Sequence, residues 1–112
     1  TEIYYVTRCY QTRHGSGWMS NEVAPDLINN EEEINVTNPW QKDFRTGKLD
    51  YELLNYAMEV DNLYSSPFRK NLVVTCLDQR PSYEFHYEKI RQRIFCHYEN
   101  HSPAFGGMIK TC

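Results

Sequence analysis

No stretch of this chain approaches the roughly 18 consecutive apolar residues of a membrane span, so no membrane partner is expected. No charged, apolar, small-residue leader opens it at Thr1, and the expectation is a mature form whose signal has been removed. An excess of positive charge is also missing. The 12 Lys and Arg stand against 15 Asp and Glu, for a net charge of −3, which argues against a strongly basic nucleic-acid footprint. No C-x-x-C pair occurs, which removes the usual spacing of a zinc or thioredoxin-type site. There is no internal repeat, since the two His-Tyr-Glu triplets at His86 and His97 are too short to count as one.

What is present is an even set of four cysteines, Cys9, Cys76, Cys96 and Cys112, in 112 residues. That length suits one domain spanning 1–112. A chain this short buries a modest fraction of its surface, so cross-links would add to a thin margin. Disulfides, and with them an oxidising, secreted setting, are the expectation. Asn35-Val36-Thr37 is an N-glycosylation acceptor, and Asn100-His101-Ser102 is a poorer one because Pro103 follows.

Charge and aromatic content are uneven. Asp26 and Glu31 to Glu33 form an acidic patch, most simply a solvated exterior, whereas Arg69, Lys70, Arg80, Lys89, Arg91 and Arg93 load the later half. Arg91 and Arg93 alternate with Ile90 and Ile94. They read as a solvated strand face or as a pair able to touch phosphates. Aromatics make up 14% of the chain, with nine tyrosines, which suits a sheet core or a base-stacking surface.

Ile3 to Tyr10 is β-branched and aromatic and reads as a first strand. Gln11 to Gly17 reads as a loop. Ser20 is a helix N-cap, and Val23, Leu27, Ile28 and Ile34 fall near helical spacing, so a helix is expected at Asn21 to Glu33. Trp40 to Thr46 and Leu49 to Val60 read as strands joined by a type II′ turn at Gly47-Lys48. Asp61 to Lys70 reads as a loop, Asn71 to Leu77 as a strand, Asp78 to Ser82 as a turn, and Tyr83 to Tyr98 as a long strand region. One early helix followed by four or five antiparallel strands gives an α+β domain.

Side chains alternate along a strand. Leu72, Val74 and Cys76 would share one face, and Ile94, Cys96 and Tyr98 one face of a second strand. If those strands are neighbours, Cys76 meets Cys96 on the apolar face that covers the helix. Phe95, His97 and Glu99 would then point outward.

In order of elements the chain resembles the small fungal guanyl-specific ribonucleases. The resemblance rests on Asn38-Pro39-Trp40, Asn55-Tyr56-Ala57-Met58, Leu63-Tyr64-Ser65, Leu72-Val73-Val74, Phe95-Cys96-His97, Phe105 and the final Cys112. It implies one helix packed on a four- to five-stranded antiparallel sheet and a Cys9–Cys112 disulfide; with the Cys76–Cys96 pair that the strand faces suggest, two disulfides are expected. The family's reaction needs a general base, a general acid and a cation for the phosphate. Here the expected histidine is Trp40, the tyrosine Asn38, the glutamate Asn55, the arginine Asn71 or Leu72, and the acidic guanine-reading residue Thr46. Only the late histidine remains, as His97, with Phe105 downstream.

A ribonuclease scaffold without its catalytic set resembles the secreted ribonuclease-like effectors of powdery mildew fungi, which include avirulence proteins detected by plant intracellular immune receptors. Many carry an aromatic-x-Cys motif near the mature terminus, whereas this chain has Tyr5-Val6-Thr7-Arg8-Cys9. The resemblance implies an inactive, monomeric protein delivered into the host plant cell, with a host protein as partner and RNA binding weak. Its binding-face candidates are Trp40, Arg45, Tyr56, Phe95, His97 and Phe105. Trp40 reads equally as a core tryptophan, and His97 as a plain surface residue. No cofactor is expected, nor a metal at His97 and His101, because a loop would separate them. Two other classes stay open: an active secreted ribonuclease or toxin using His97 with Glu52, and an unrelated disulfide-bonded secreted binding protein.

Overall fold

The computed structural model describes residues 1–23, 44–80, 83–102 and 108–112. Its main sheet is built on β5 (Arg69–Thr75), flanked by β1 (Glu2–Arg8) and β6 (Cys96–Asn100), with β7 (Met108–Thr111) on the edge beyond β6. β1 and β6 both run parallel to β5, and β7 runs antiparallel to β6. The sheet is therefore mixed rather than antiparallel. A second, smaller sheet is antiparallel, with β4 (Phe44–Lys48) between β2 (Tyr10–His14) and β3 (Glu22–Val23).

A single α-helix is seen among the described residues, α1 at Tyr51–Ser65. It replaces the strand expected at Leu49 to Val60. Asp50, in extended conformation, caps it by accepting the Leu53 N–H at 3.1 Å, a contact worth about 1 kcal/mol. Pro67 has no N–H and cannot extend the helix. Lys70 of β5 supplies the cation that the last turn lacks. Only 3% exposed, it donates to the Ser65 carbonyl and, at 3.2 Å, to that of Phe68, which complements the negative end of the helix dipole.

Gly47 and Lys48 lie within β4, not in a turn: they pair with Gln11 and Tyr10 of β2. Gly47 has little room for a side chain, because a Cβ there would meet the Ser20 and Asn21 carbonyl oxygens at 3.0 and 3.1 Å. Gln11 to His14 are strand rather than loop. Of the helix expected at Asn21 to Glu33, Glu22 and Val23 are strand, and the part from residue 24 onward lies outside the described residues. The expected strand region Tyr83 to Tyr98 is mostly irregular, with a 3-10 turn at Tyr87–Lys89, and only its end enters β6.

The core joins the sheet to α1 and to the irregular 83–95 segment. Cys9, Tyr10, Leu72, Val74, Leu77 and Phe85 form a buried cluster, with Tyr5, Tyr51, Leu54 and Tyr87 packed against it. Fully burying an aliphatic or aromatic side chain of this size stabilises by about 1.5 to 3 kcal/mol each.

The β5–β6 register sets Leu72 beside His97 and Val74 beside Glu99. Parallel partners share a face, so His97 and Glu99 lie on the core face, and Cys96 and Tyr98 lie on the opposite one. This inverts the expected arrangement. A slip of one residue moves every side chain of a strand to the other face. Cys96 consequently pairs with Cys112 across β6 and the end of β7, Cα–Cα 4.1 Å. The expected Cys76–Cys96 and Cys9–Cys112 bonds are not formed, and Cys9 and Cys76 are free thiols. The Cys96–Cys112 bond closes a short loop, worth about 3 kcal/mol in the chain-entropy picture.

Candidate binding surfaces

α1 is apolar on two sides. Met58 and Asn55 are buried, Asn55 against the backbone of Lys89 and Arg91, with Tyr51 and Leu54 packed on the core. On the other side Leu53, Tyr56, Val60, Leu63 and Tyr64 are 54%, 63%, 42%, 77% and 85% exposed. Positions 53, 56, 60 and 63 recur at steps of three and four residues, which lays them along one seam. A helix that is apolar all round belongs in an interior; here one side is covered and the other faces solvent. The helix contains no Lys or Arg. Beside the seam, Glu52 and Glu59 are bridged by Arg91 at 3.0 and 3.1 Å, so Arg91 is tied to the helix rather than free for phosphates.

A groove of about 1020 Å³ runs beyond the end of α1, lined among others by Asn62, Phe68, Arg69, Lys70, Arg93 and Phe95. The Arg69 guanidinium stands 4.0 Å above the Phe95 ring, and Phe95 remains 48% exposed. The Phe95 N–H donates to the Lys70 carbonyl at 2.7 Å, which fixes the Phe95 main chain beside β5. Lys70 is committed to the Ser65 and Phe68 carbonyls, so Arg69 and Arg93 are the guanidinium groups this groove offers to an anion. Glu2 also lines it.

The third cluster surrounds His97. Its ring packs edge-on against Tyr87 at 4.5 Å, and Tyr87 packs on Phe85 at 4.8 Å. Burial lowers the His97 pKa below its ordinary 6.5, with Glu99 opposing. The Tyr87 hydroxyl donates to Glu99, which also contacts His101 at 2.9 Å. Those bonds, that from Tyr87 first, pull the Glu99 carboxyl below its ordinary 4.5. Burial, followed by the Glu99 contact, pushes the Tyr87 hydroxyl up. Each member of this acid–base set is thus turned toward another member.

Among the described residues, the sequence-derived binding-face candidates do not share one surface. Tyr56 lies on the α1 seam and Phe95 in the groove. His97 is on the core face of the main sheet. Arg45 belongs to the second sheet, held by both Glu22 oxygens at 2.6 Å and by the Gly15 carbonyl at 2.9 Å. Trp40, Phe105 and the glycosylation candidate Asn35 lie outside the described residues. Glu52, the expected partner of His97 in the catalytic alternative, is bound to Arg91 instead. The residues missed by sequence reasoning are Leu53, Val60, Leu63 and Tyr64, although their spacing in the printed sequence carries the signal.

No protein-family model matches this chain, and no curated protein matches it.

Proposed function

We propose that this chain is a non-catalytic binding protein that acts by surface contact with a protein partner, in the manner of the secreted ribonuclease-like effectors it resembles. The observation that carries this reading is the exposed seam Leu53, Tyr56, Val60, Leu63 and Tyr64 on α1. Anchors at such spacing suit a helix laid into an apolar groove of a partner, and aromatic anchors dominate the binding energy of many interfaces. Beside His97, the Glu99 carboxylate is engaged by Tyr87 and His101 within the protein, which favours binding over chemistry. Asn55, at the position of the family's glutamate, has its amide engaged with backbone groups.

On this reading the partner is a host plant protein, reached after secretion and delivery into the plant cell, and detection by an intracellular immune receptor would be one consequence. The test is a quantitative pull-down from plant extract with the wild type and a Leu53→Ser/Leu63→Ser variant. Both positions are exposed, so circular dichroism and thermal unfolding should stay close to wild type while a specific captured protein is lost. Unchanged capture by the folded variant would clear the seam.

A second reading is favoured by Arg69 over Phe95. A single-stranded nucleic acid could stack a base near Phe95 and set phosphate near Arg69 and Arg93. Fluorescence anisotropy with short single-stranded RNA tests it, with loss of a salt-sensitive signal expected in Arg69→Ala/Arg93→Ala.

A further inference from the structure

Cys9 and Cys76 sit at the matching ends of two paired strands. β1 and β5 run parallel, with Arg8 beside Thr75 as their last pair. The ladder continues one step further, since the Cys9 N–H donates to the Thr75 carbonyl at 3.2 Å. Neighbouring strands stand about 4.8 Å apart, which falls inside the Cα separation that a disulfide spans. Cys76 then leaves the strand in a left-handed conformation, φ 63°, and its carbonyl turns onto Cys9 Sγ at 3.4 Å. Both side chains pack in the same core cluster. The pair is also what remains once Cys96 and Cys112 are bonded.

We infer that Cys9 and Cys76 form a second disulfide, which locks the end of β1 to the end of β5, and that the structure holds this pair in its reduced state. The proposal is independent of the partner and of the function proposed above. Closing the bond removes two protons and two electrons from the two thiols. The oxidant is a small-molecule or protein disulfide, which accepts them and leaves as two thiols. Cys9 is fully buried, whereas Cys76 is partly exposed. Burial, with Cys76 adding to it, pushes the Cys9 thiol up to about 12. The accessible Cys76 thiolate therefore attacks the external disulfide, displacing one thiolate and forming a mixed disulfide. Cys9 then attacks Cys76 Sγ and releases the second thiolate. With so little Cys9 thiolate near neutrality, this resolving step is slow in the closed core and fastest while the chain is still folding.

The test uses the full chain, reduced and unfolded, then refolded in a mixture of reduced and oxidised glutathione. Remaining thiols are alkylated in denaturant, and the unreduced digest is mapped by mass spectrometry. The expected result is a Cys9–Cys76 cross-linked peptide alongside Cys96–Cys112. The bond would span 67 residues and would disfavour unfolding by about 10³-fold in the loop-entropy picture. Recovery of alkylated Cys9 and Cys76 from chains that carry Cys96–Cys112 would overturn the proposal. So would a bond from Cys9 to Cys96 or Cys112.

Discussion

Asn55 gives the sharpest test of how α1 is fixed. It is 1% exposed, and both ends of its amide are used. Nδ2 donates to the Lys89 carbonyl at 2.8 Å, and Oδ1 accepts the Arg91 N–H at 2.9 Å. One side chain thus ties the helix to the irregular segment that crosses it. In Asn55→Ala both backbone groups lose their partner. Lys89 and Arg91 lie near the surface, so water recovers part of the loss, and each broken bond costs about 1 kcal/mol. A small void adds to this, for a total of about 2 to 3 kcal/mol. The folded-to-unfolded ratio should fall by a factor of about 30 to 150. With an m-value in the usual range of about 1 to 3 kcal/mol/M, the urea midpoint moves down by about 0.7 to 3 M. Asn55→Asp keeps the acceptor for Arg91 but turns a carboxylate oxygen toward the Lys89 carbonyl, so it should do no better than alanine. Equilibrium urea unfolding followed by tryptophan fluorescence and circular dichroism reads all three chains. A loss below about 0.5 kcal/mol in Asn55→Ala would refute the reasoning, because the two bonds would then carry no weight in holding the helix.

Acid should weaken the fold in two steps with the same sign. His97 has a folded pKa depressed by burial, so the unfolded chain binds its proton more readily; that stability is present above 6.5 and is lost as pH falls through the folded value. Glu99 is depressed mainly by the Tyr87 hydroxyl, so its contribution is present above 4.5 and is lost as pH falls through its folded value. Thermal unfolding between pH 3 and 8 should lose the upper step in His97→Gln and shrink the lower one in Tyr87→Phe; an unchanged profile in both would rule out these groups. Arg45→Ala should destabilise by about 1 kcal/mol, since its paired bonds to a half-exposed Glu22 join β4 to β3. Glu22→Gln should give a smaller loss in the same chemical denaturation, and no effect of either substitution would mean that this pair is only a surface contact.

β1 and β5 were legible in the sequence because their β-branched and aromatic runs have no helical competitor. The helix at 51–65 was not, and the reason is physical. Its apolar residues occupy both the buried side and the exposed seam, which blurs the 3.6-residue period that would have revealed it. The better signals were Asp50, three residues before Leu53, and a run of Glu, Leu, Ala and Met, which are strong helix formers. The position of His97 failed for a different reason. Face assignments depended on which residues of β5 and β6 stand side by side, and nothing local fixes that register. Cys76 misled because strand alternation ends at Thr75 and Cys76 adopts a left-handed conformation. The core residues Leu72 and Val74 were placed correctly, since their parity does not depend on a neighbour.

The strand order β1-β5-β6-β7 also governs how the chain must fold. Only β6 and β7 are near neighbours in sequence. The central strand finds its first partner more than sixty residues back, and both of its pairings are parallel. Loop-closure entropy must be met before either pairing gives any return, so folding should be slow for the chain's size. On a ribosome, β1 waits exposed until β5 has emerged. α1, which precedes β5 and is capped by its own Asp50, can form before the main sheet does. The seam that faces solvent in the finished protein would then be present, unshielded, before the main sheet has closed.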